Sequence, residues 1–191
     1  MKKLFTFLLF LFFITKSFAQ FDTEHWFAPM ADASNGSEAQ QYIYVSTNET
    51  TPFKVDIYNN NIVIGTINNL SKGSPQKFYI PREYIITSDN REINAKATLG
   101  LHLVGEKKFF ANLRFSVFNH AEILTSKGKS ALGKDFKNAN PPISLYEGFQ
   151  TTNMQTSIMA YHDNTKIKIF GYSNKISFSD KSTPKFLEFT L

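Results

Sequence analysis

The sequence contains no cysteine, and this absence excludes several kinds of protein at once. Without cysteine there can be no disulfide bond, no thiolate ligand for zinc or iron–sulfur clusters, and no lipid-modified cysteine after a leader. The four histidines, His25, His102, His120 and His162, also lack the His-x-x-x-His spacing of a helical zinc site. The sequence therefore predicts no metal site and no cofactor, and its stability must come from a buried core.

Sustained helical periodicity is also missing. At most the segment 130–136 could form one helical turn, whereas almost every other apolar run alternates with period two, as half-buried strands do. The twenty Phe and eight Tyr residues supply ample apolar area for a core, and Asn59-Asn60 is typical of a tight hairpin turn. We therefore expect an all-β, antiparallel, sandwich-like fold. The predicted strands are 41–46, 53–58, 61–67, 76–80, 99–104, 109–118, 120–125, 157–161, 165–170, 176–179 and 185–191.

The first nineteen residues have the pattern of a secretory signal peptide. Lys2 and Lys3 precede an apolar run at 4–14, and small residues follow at Ser17 and Ala19. Cleavage after Ala19 would leave Gln20 as the first residue. The alternative, an uncleaved membrane anchor, is disfavoured because the apolar run is well short of the roughly 20 residues that span a bilayer. We expect a secreted chain with no membrane span in its mature part.

The apparent basicity of the chain comes mostly from this leader. The whole sequence has 21 Lys and Arg against 16 Asp and Glu, but Lys2, Lys3 and Lys16 leave with the leader. The mature balance is 18 against 16, a net charge of +2. So small a charge gives little reason to expect nucleic acid or an anionic membrane as a partner.

Two stretches of the chain, 42–81 and 158–191, follow the same order of strands and turns. Val55 matches Ile167 at an offset of 112 residues, and Phe78 matches Phe186 at an offset of 108. This pattern predicts two related β units, at 20–126 and 143–191, joined by a loop at 127–142. The second unit lacks counterparts of the strands at 99–125, so we expect it to be incomplete and the chain to be a fragment of a longer protein.

Three runs of residues carry a resemblance to a known family: DTEHWFAPM at 22–30, STNETTPF at 46–53, and FANLRF at 110–115 continuing through NHAE at 119–122. In these runs the chain resembles the IgGFc-binding-protein-like N-terminal region of flavobacterial surface proteins. Such proteins end in a gliding-motility-associated, type IX (type B) sorting domain, which is not present in this sequence. The resemblance implies a β-rich, cell-surface adhesion protein, and it carries over no binding residue.

Sequence motifs for chemistry are weak. Asp22, Glu24 and His25 could bind a divalent cation, but in a strand His25 would face away from the two carboxylates. We therefore favour a structural role for these three residues, with Trp26 and Phe27 buried. A turn at 162–164 and a loop at 126–130 that lacks the full phosphate-loop pattern are interpreted as structural too.

Tyr42 and Tyr44 are the candidate ligand-binding residues, because they share one face of a predicted strand; Tyr58 and Tyr172 are further candidates. We expect a non-enzymatic adhesion or binding module whose partner is an extracellular protein or glycan surface. A carbohydrate-binding module remains an alternative. A secreted hydrolase whose catalytic residues meet only in the fold remains another.

Overall fold

A computed structural model describes residues 20–31, 40–87, 97–117, 120–139, 156–178 and 182–191. Two short 3-10 turns lie within these ranges, at Arg82–Tyr84 and Gly128–Ala131. The strands of the described part are β1 (Asp22–Phe27), β2 (Met30–Ala31), β3 (Gln41–Ser46), β4 (Phe53–Asn59), β5 (Ile62–Leu70), β6 (Gln76–Ile80), β7 (Ile86–Thr87), β8 (Leu101–Val117), β9 (His120–Thr125), β10 (Lys166–Phe170) and β11 (Phe186–Thr190). The protein is all-β, as the sequence predicts.

Strand β8 organises the main sheet. Its first half lies between β1 and β4, and its second half lies between β3 and β9. The path β5-β4-β8-β3-β6 completes a seven-stranded antiparallel sheet, to which β1 and β9 are added through β8. The two ends of this path, β5 and β6, come close together, so the sheet is a nearly closed barrel.

The core lies inside this barrel and follows the period-two alternation of the strands. Along β8 alternate side chains face inward, and Leu103, Phe109 and Leu113 are fully buried, whereas Lys107 is only half-buried. Ile43 of β3 and Ile57 of β4 are also fully buried. Apolar burial of this kind contributes roughly 25 cal/mol per Å² removed from water, and it replaces the disulfide bonds that the chain cannot form.

The hairpin between β4 and β5 turns at two asparagines. Asn60 and Asn61 both have positive φ, 45° and 64°, as the central residues of a type I′ turn do. Asparagine tolerates this region better than other side chains. The predicted hairpin turn is confirmed, one residue later than Asn59-Asn60.

Several strand predictions need correction. The strands predicted at 99–104 and 109–118 form one continuous strand, β8, which pairs with β1 on both sides of the charged stretch, while the Thr47 hydroxyl donates a hydrogen bond to the Lys108 carbonyl within it. The segment 157–161 and the described part of 176–179 are not strands. The hydrophobicity of those two segments alternates, but their backbones do not pair with a strand. Strand β1, absent from the predicted set, is present.

Strands β10 and β11 form a separate antiparallel hairpin, with Ile167 opposite Phe189 and Ile169 opposite Leu187. Their proposed counterparts in the first unit, β4 and β6, do not pair with each other but with β5 and β3. The division into units at 20–126 and 143–191 stays a prediction. The predicted leader, including Ala19, lies outside the described residues, and Gln20 is exposed.

Candidate binding surface

The outer face of β6, β3, β8 and β9 carries a compact group of aromatic and cationic side chains. Tyr42 of β3 lies opposite Tyr79 of β6 on one side and opposite Arg114 of β8 on the other. Arg114 in turn lies opposite Ile123 of β9. Directly opposed residues in a sheet project from the same face. These four side chains therefore form one row across four strands.

A second, shorter row runs parallel to the first. Tyr44 lies opposite Lys77 of β6 and Asn112 of β8. We define the tyrosine face as the exposed side of both rows: Tyr42, Tyr44, Lys77, Tyr79, Arg114 and Ile123.

The Tyr42 ring contacts the other two tyrosine rings of this face. The ring centroid of Tyr42 lies 6.2 Å from that of Tyr44 and 5.8 Å from that of Tyr79. The ammonium of Lys77 lies 4.9 Å from the centre of the Tyr42 ring, within the range of a cation–π contact. The Tyr42 hydroxyl donates a 2.6 Å hydrogen bond to Gln40 Oε1. These contacts hold Tyr42 at the centre of the face.

The face is accessible to a large partner. The side chain of Tyr79 is 49% exposed and that of Ile123 is 66% exposed. Beside Tyr44 lies an open depression of about 450 Å³, which Arg114, Ala121, Glu122 and Ile123 also line. Arg114 forms no ion pair with a carboxylate of the described residues. Arg114 is exposed on this face.

A second aromatic strip lies on the outer face of β1, β8 and β4. Trp26 stacks on His102, with ring centroids 4.9 Å apart and ring planes within 7° of parallel. On the other side of His102 lies Tyr58, at 5.9 Å. Tyr161, from the segment before β10, meets the Trp26 ring edge-on at 5.3 Å. Trp26 is thus half-buried on the outside of the barrel and not in the core, which corrects the sequence-based expectation.

A cavity of about 240 Å³ adjoins this strip, between the 3-10 turn at Gly128–Ala131 and the segment before β10. Trp26, Leu132, Met159 and Tyr161 form its apolar wall. The volume is below the 300–1,000 Å³ that is usual for drug-sized ligands.

Ion pairs anchor the 3-10 turn to β1. The Lys129 ammonium lies 2.6 Å from Glu24 Oε1, and the His102 ring lies 3.0 Å from Glu24 Oε2. The Lys129 ammonium lowers the pKa of Glu24, and the hydrogen bond from His102 lowers it further. Partial burial of the carboxyl group acts in the opposite direction. Partial burial by itself would raise the pKa of Asp22, but the backbone N–H groups of Lys129 and Thr23 outweigh it and lower that pKa. Carboxyl groups with lowered pKa values are poor general acids at neutral pH.

His25 faces the opposite way, into the core, as the strand alternation predicts. Its side chain is fully buried, its Nε2 lies 2.8 Å from the Phe109 carbonyl oxygen, and its ring meets the Phe109 ring edge-on. Burial lowers the pKa of His25, although the Phe109 carbonyl and the Asp22 carboxylate oppose the effect. Asp22, Glu24 and His25 therefore do not converge on one centre, and no cluster suited to a metal ion occurs among the residues that the structure describes.

The four candidate tyrosines separate in the fold. Tyr42 and Tyr44 share the outer face of β3, as predicted, whereas Tyr58 lies on the other aromatic strip. The Tyr172 hydroxyl donates a hydrogen bond to the Pro184 carbonyl, and its ring packs against Phe178. Tyr79 and Arg114 were not singled out in the sequence. The alternation of β6 and β8 places them on outer faces, but only the strand register brings them to Tyr42.

The fold and this surface define a class: an all-β protein with an aromatic, cationic outer sheet face. Among the described residues, no helix is long and apolar enough to cross a membrane. Comparisons with protein-family models, with curated proteins and with solved structures gave no match.

Proposed function

We propose that this chain is a secreted, non-enzymatic binding module of a cell-surface adhesion protein, and that the tyrosine face is its contact surface. The observation that carries the proposal is the row Tyr79, Tyr42, Arg114 and Ile123, which crosses four strands of a rigid sheet. Tyrosine and arginine are the residue types most enriched at energetically important interface positions.

The composition of the face supports binding over a purely structural role. The three tyrosine rings and the flanking Lys77 ammonium offer a partner one continuous aromatic surface, in which Tyr79 is exposed and Tyr42 and Tyr44 are half-buried. Tyrosine offers large contact area at a low cost in side-chain entropy, because it has two rotatable bonds. Since the rings project from a sheet and not from loops, they are already ordered before a partner arrives.

The sequence resemblance to flavobacterial surface proteins and the predicted leader support an extracellular location. We propose export across the inner membrane with cleavage after Ala19, followed by transport to the cell surface by the type IX route if a sorting domain accompanies the chain. Mass spectrometry of the exported protein should give an N-terminus at Gln20. An N-terminus at Met1 would contradict the export proposal.

A carbohydrate-binding module is the second candidate, and one observation favours it. The rings of Tyr42, Tyr44 and Tyr79 lie next to one another on a sheet face with their planes inclined by 53° and 66°, and different rings can contact different sugars of a glycan chain. The face of an aromatic ring carries partial negative charge and attracts C–H groups of a sugar.

The experiment tests whether the tyrosine face binds a ligand, without assuming which ligand it is. The exported chain is immobilised and exposed to two panels, one of glycans and one of purified extracellular proteins. We expect binding to at least one member. The double variant Tyr42→Ala, Tyr44→Ala should lose roughly tenfold or more in affinity, since an interface tyrosine at an energetically important position contributes about 2 kcal/mol or more.

The matched control is Phe170→Ala, because Phe170 is an exposed aromatic residue on β10, outside the tyrosine face. This variant should bind as the unmodified chain does. Equal binding by the double variant, with its circular-dichroism spectrum and unfolding midpoint unchanged, would rule out the tyrosine face.

A further inference from the structure

The tyrosine face combines two features that together restrict the chemistry of its ligand. One is a set of contacting aromatic rings, and the other is a pair of cations that bracket the central ring. Lys77 lies over Tyr42, and Arg114 lies opposite Tyr42 across the β3–β8 pair. We propose that the ligand of this face is an acidic polysaccharide, a chain of pyranose rings that carries one carboxylate on each sugar; this inference rests on the proposed binding function.

The aromatic rings account for the sugar rings of such a ligand. Neighbouring ring centroids on the face lie 5.8 and 6.2 Å apart and the ring planes are inclined by 66° and 53°, so the rings form an angled aromatic surface and not a flat platform. Tyr42 and Tyr44 lie along one strand, while Tyr79 extends the group across to β6. A sugar chain that twists between neighbouring units can therefore contact two of these inclined rings at once.

Arg114 accounts for the carboxylate. Its guanidinium lines the depression of about 450 Å³ beside Tyr44 and forms no ion pair with a carboxylate of the described residues. A guanidinium binds a planar carboxylate through two parallel hydrogen bonds. A sugar that stacks on Tyr44 places its ring substituents at this depression. Glu122 on the rim of the depression disfavours a ligand of high charge density.

Other anionic partners fit the face less well. Of its six residues only Lys77 and Arg114 are cations, whereas tight binding of nucleic acid depends on many phosphate contacts. A heavily sulfated glycan also has a charge density above what two cations can neutralise. An extended acidic peptide gains affinity by pairing its main chain with a strand edge. Among the described strands, the unpaired edges of β6 and β9 lie at the margins of the tyrosine face, whereas its central side chains come from β3 and β8, which are paired on both sides.

The experiment compares two ligands with the same backbone. Binding of polygalacturonate to the exported chain is measured by isothermal titration calorimetry beside fully methyl-esterified polygalacturonate, which keeps the rings and lacks the charge. We expect the acidic polymer to bind at least about tenfold more tightly. Its affinity should fall when the ionic strength is raised, because salt screens exposed charges.

Variants separate the two parts of the site. Arg114→Gln should lower the affinity for polygalacturonate by roughly tenfold or more and leave the affinity for the esterified polymer unchanged. Tyr42→Ala should weaken both polymers. Lys166→Gln is the control, because it removes the same charge from the exposed surface of β10. It should leave both affinities as they are, and unfolding midpoints establish that each variant is folded.

Three results would overturn the inference. The first is equal affinity of Arg114→Gln and the unmodified chain for polygalacturonate, and the second is equal affinity of the unmodified chain for the two polymers. The third is tighter binding of heparin, oligothymidylate or polyglutamate than of polygalacturonate. The proposed binding function fails separately. If polygalacturonate does not bind but another ligand is lost in the Tyr42→Ala, Tyr44→Ala variant, the inference is wrong and the binding face stands.

Discussion

The ring of Phe78 occupies the space in which a side chain at Gly65 would stand: a Cβ added to Gly65 would lie 2.1 Å from Cζ of Phe78. Gly65 belongs to β5 and Phe78 to β6, the strands at the two ends of the main sheet path. The missing side chain therefore allows these strands to approach, and the near-closure of the barrel depends on this pair.

We expect Gly65→Ala to lower the free energy of unfolding by about 1–3 kcal/mol, because the added methyl group overpacks the contact. Urea denaturation measures the change. In a Phe78→Leu background the same substitution should cost clearly less, since the clashing ring is gone. An equal cost in both backgrounds would show that the two strands do not meet through this pair.

Asn59 joins the end of β4 to the segment that precedes β8. Its side-chain amide donates hydrogen bonds to the carbonyl oxygens of Gly100, at 2.9 Å, and Thr98, at 3.2 Å. We expect Asn59→Ala to destabilise the protein by about 1–3 kcal/mol, because it leaves a partly buried carbonyl without its donor. Asn68→Ala, at an exposed position of β5, serves as the control and should change the urea midpoint little. Equal effects of the two substitutions would contradict this role.

His25 should make stability depend on pH in the mildly acidic range. Its folded pKa lies below the ordinary value of 6.5, so below that pH the unfolded chain binds more protons than the folded chain. The free energy of unfolding is then greatest above about pH 6.5 and falls as the pH is lowered, by at most about 1.4 kcal/mol per pH unit. Urea midpoints measured between about pH 7.5 and 5 test this.

His25→Gln should flatten that dependence, since glutamine can donate to the Phe109 carbonyl but does not titrate. Asp22 and Glu24 affect the free energy of unfolding only at lower pH. Their lowered pKa values stabilise the folded protein, and this contribution is lost only as the pH falls below their ordinary values of 3.8 and 4.5. A His25→Gln variant with the same slope as the unmodified chain between about pH 7.5 and 5 would exclude His25 as the cause.

Trp26 is the single tryptophan and reports directly on its neighbours. Tyr161 covers one edge of its ring, so Tyr161→Ala should shift the fluorescence emission to longer wavelength and increase quenching by acrylamide. Phe170→Ala, at another exposed aromatic residue, should change neither. Unchanged emission in Tyr161→Ala would mean that the segment before β10 does not rest on β1 in solution.

Local alternation was sufficient to predict most of the strands of the barrel. The predicted strands at 76–80 and 120–125 have the observed bounds, and Tyr42 and Tyr44 share a face as expected. The prediction of a strand at 157–161 was wrong, because an alternating segment becomes a strand only by pairing and this one pairs with no strand of the described residues. The continuity of β8 was missed because Glu106, Lys107 and Lys108 have the composition of a turn.

Alternation by itself determined that this chain builds sheets and that His25 and Glu24 point in opposite directions, because successive side chains of a strand alternate whatever the partners are. It did not determine which of the two faces is inward, as the outward position of Trp26 shows. It could not determine which strands are neighbours, since pairing joins residues that are far apart in sequence. Strand register and barrel closure bring three pairs of residues together: Arg114 with Tyr42, Trp26 with His102, and Gly65 with Phe78. Only the tertiary structure decides those.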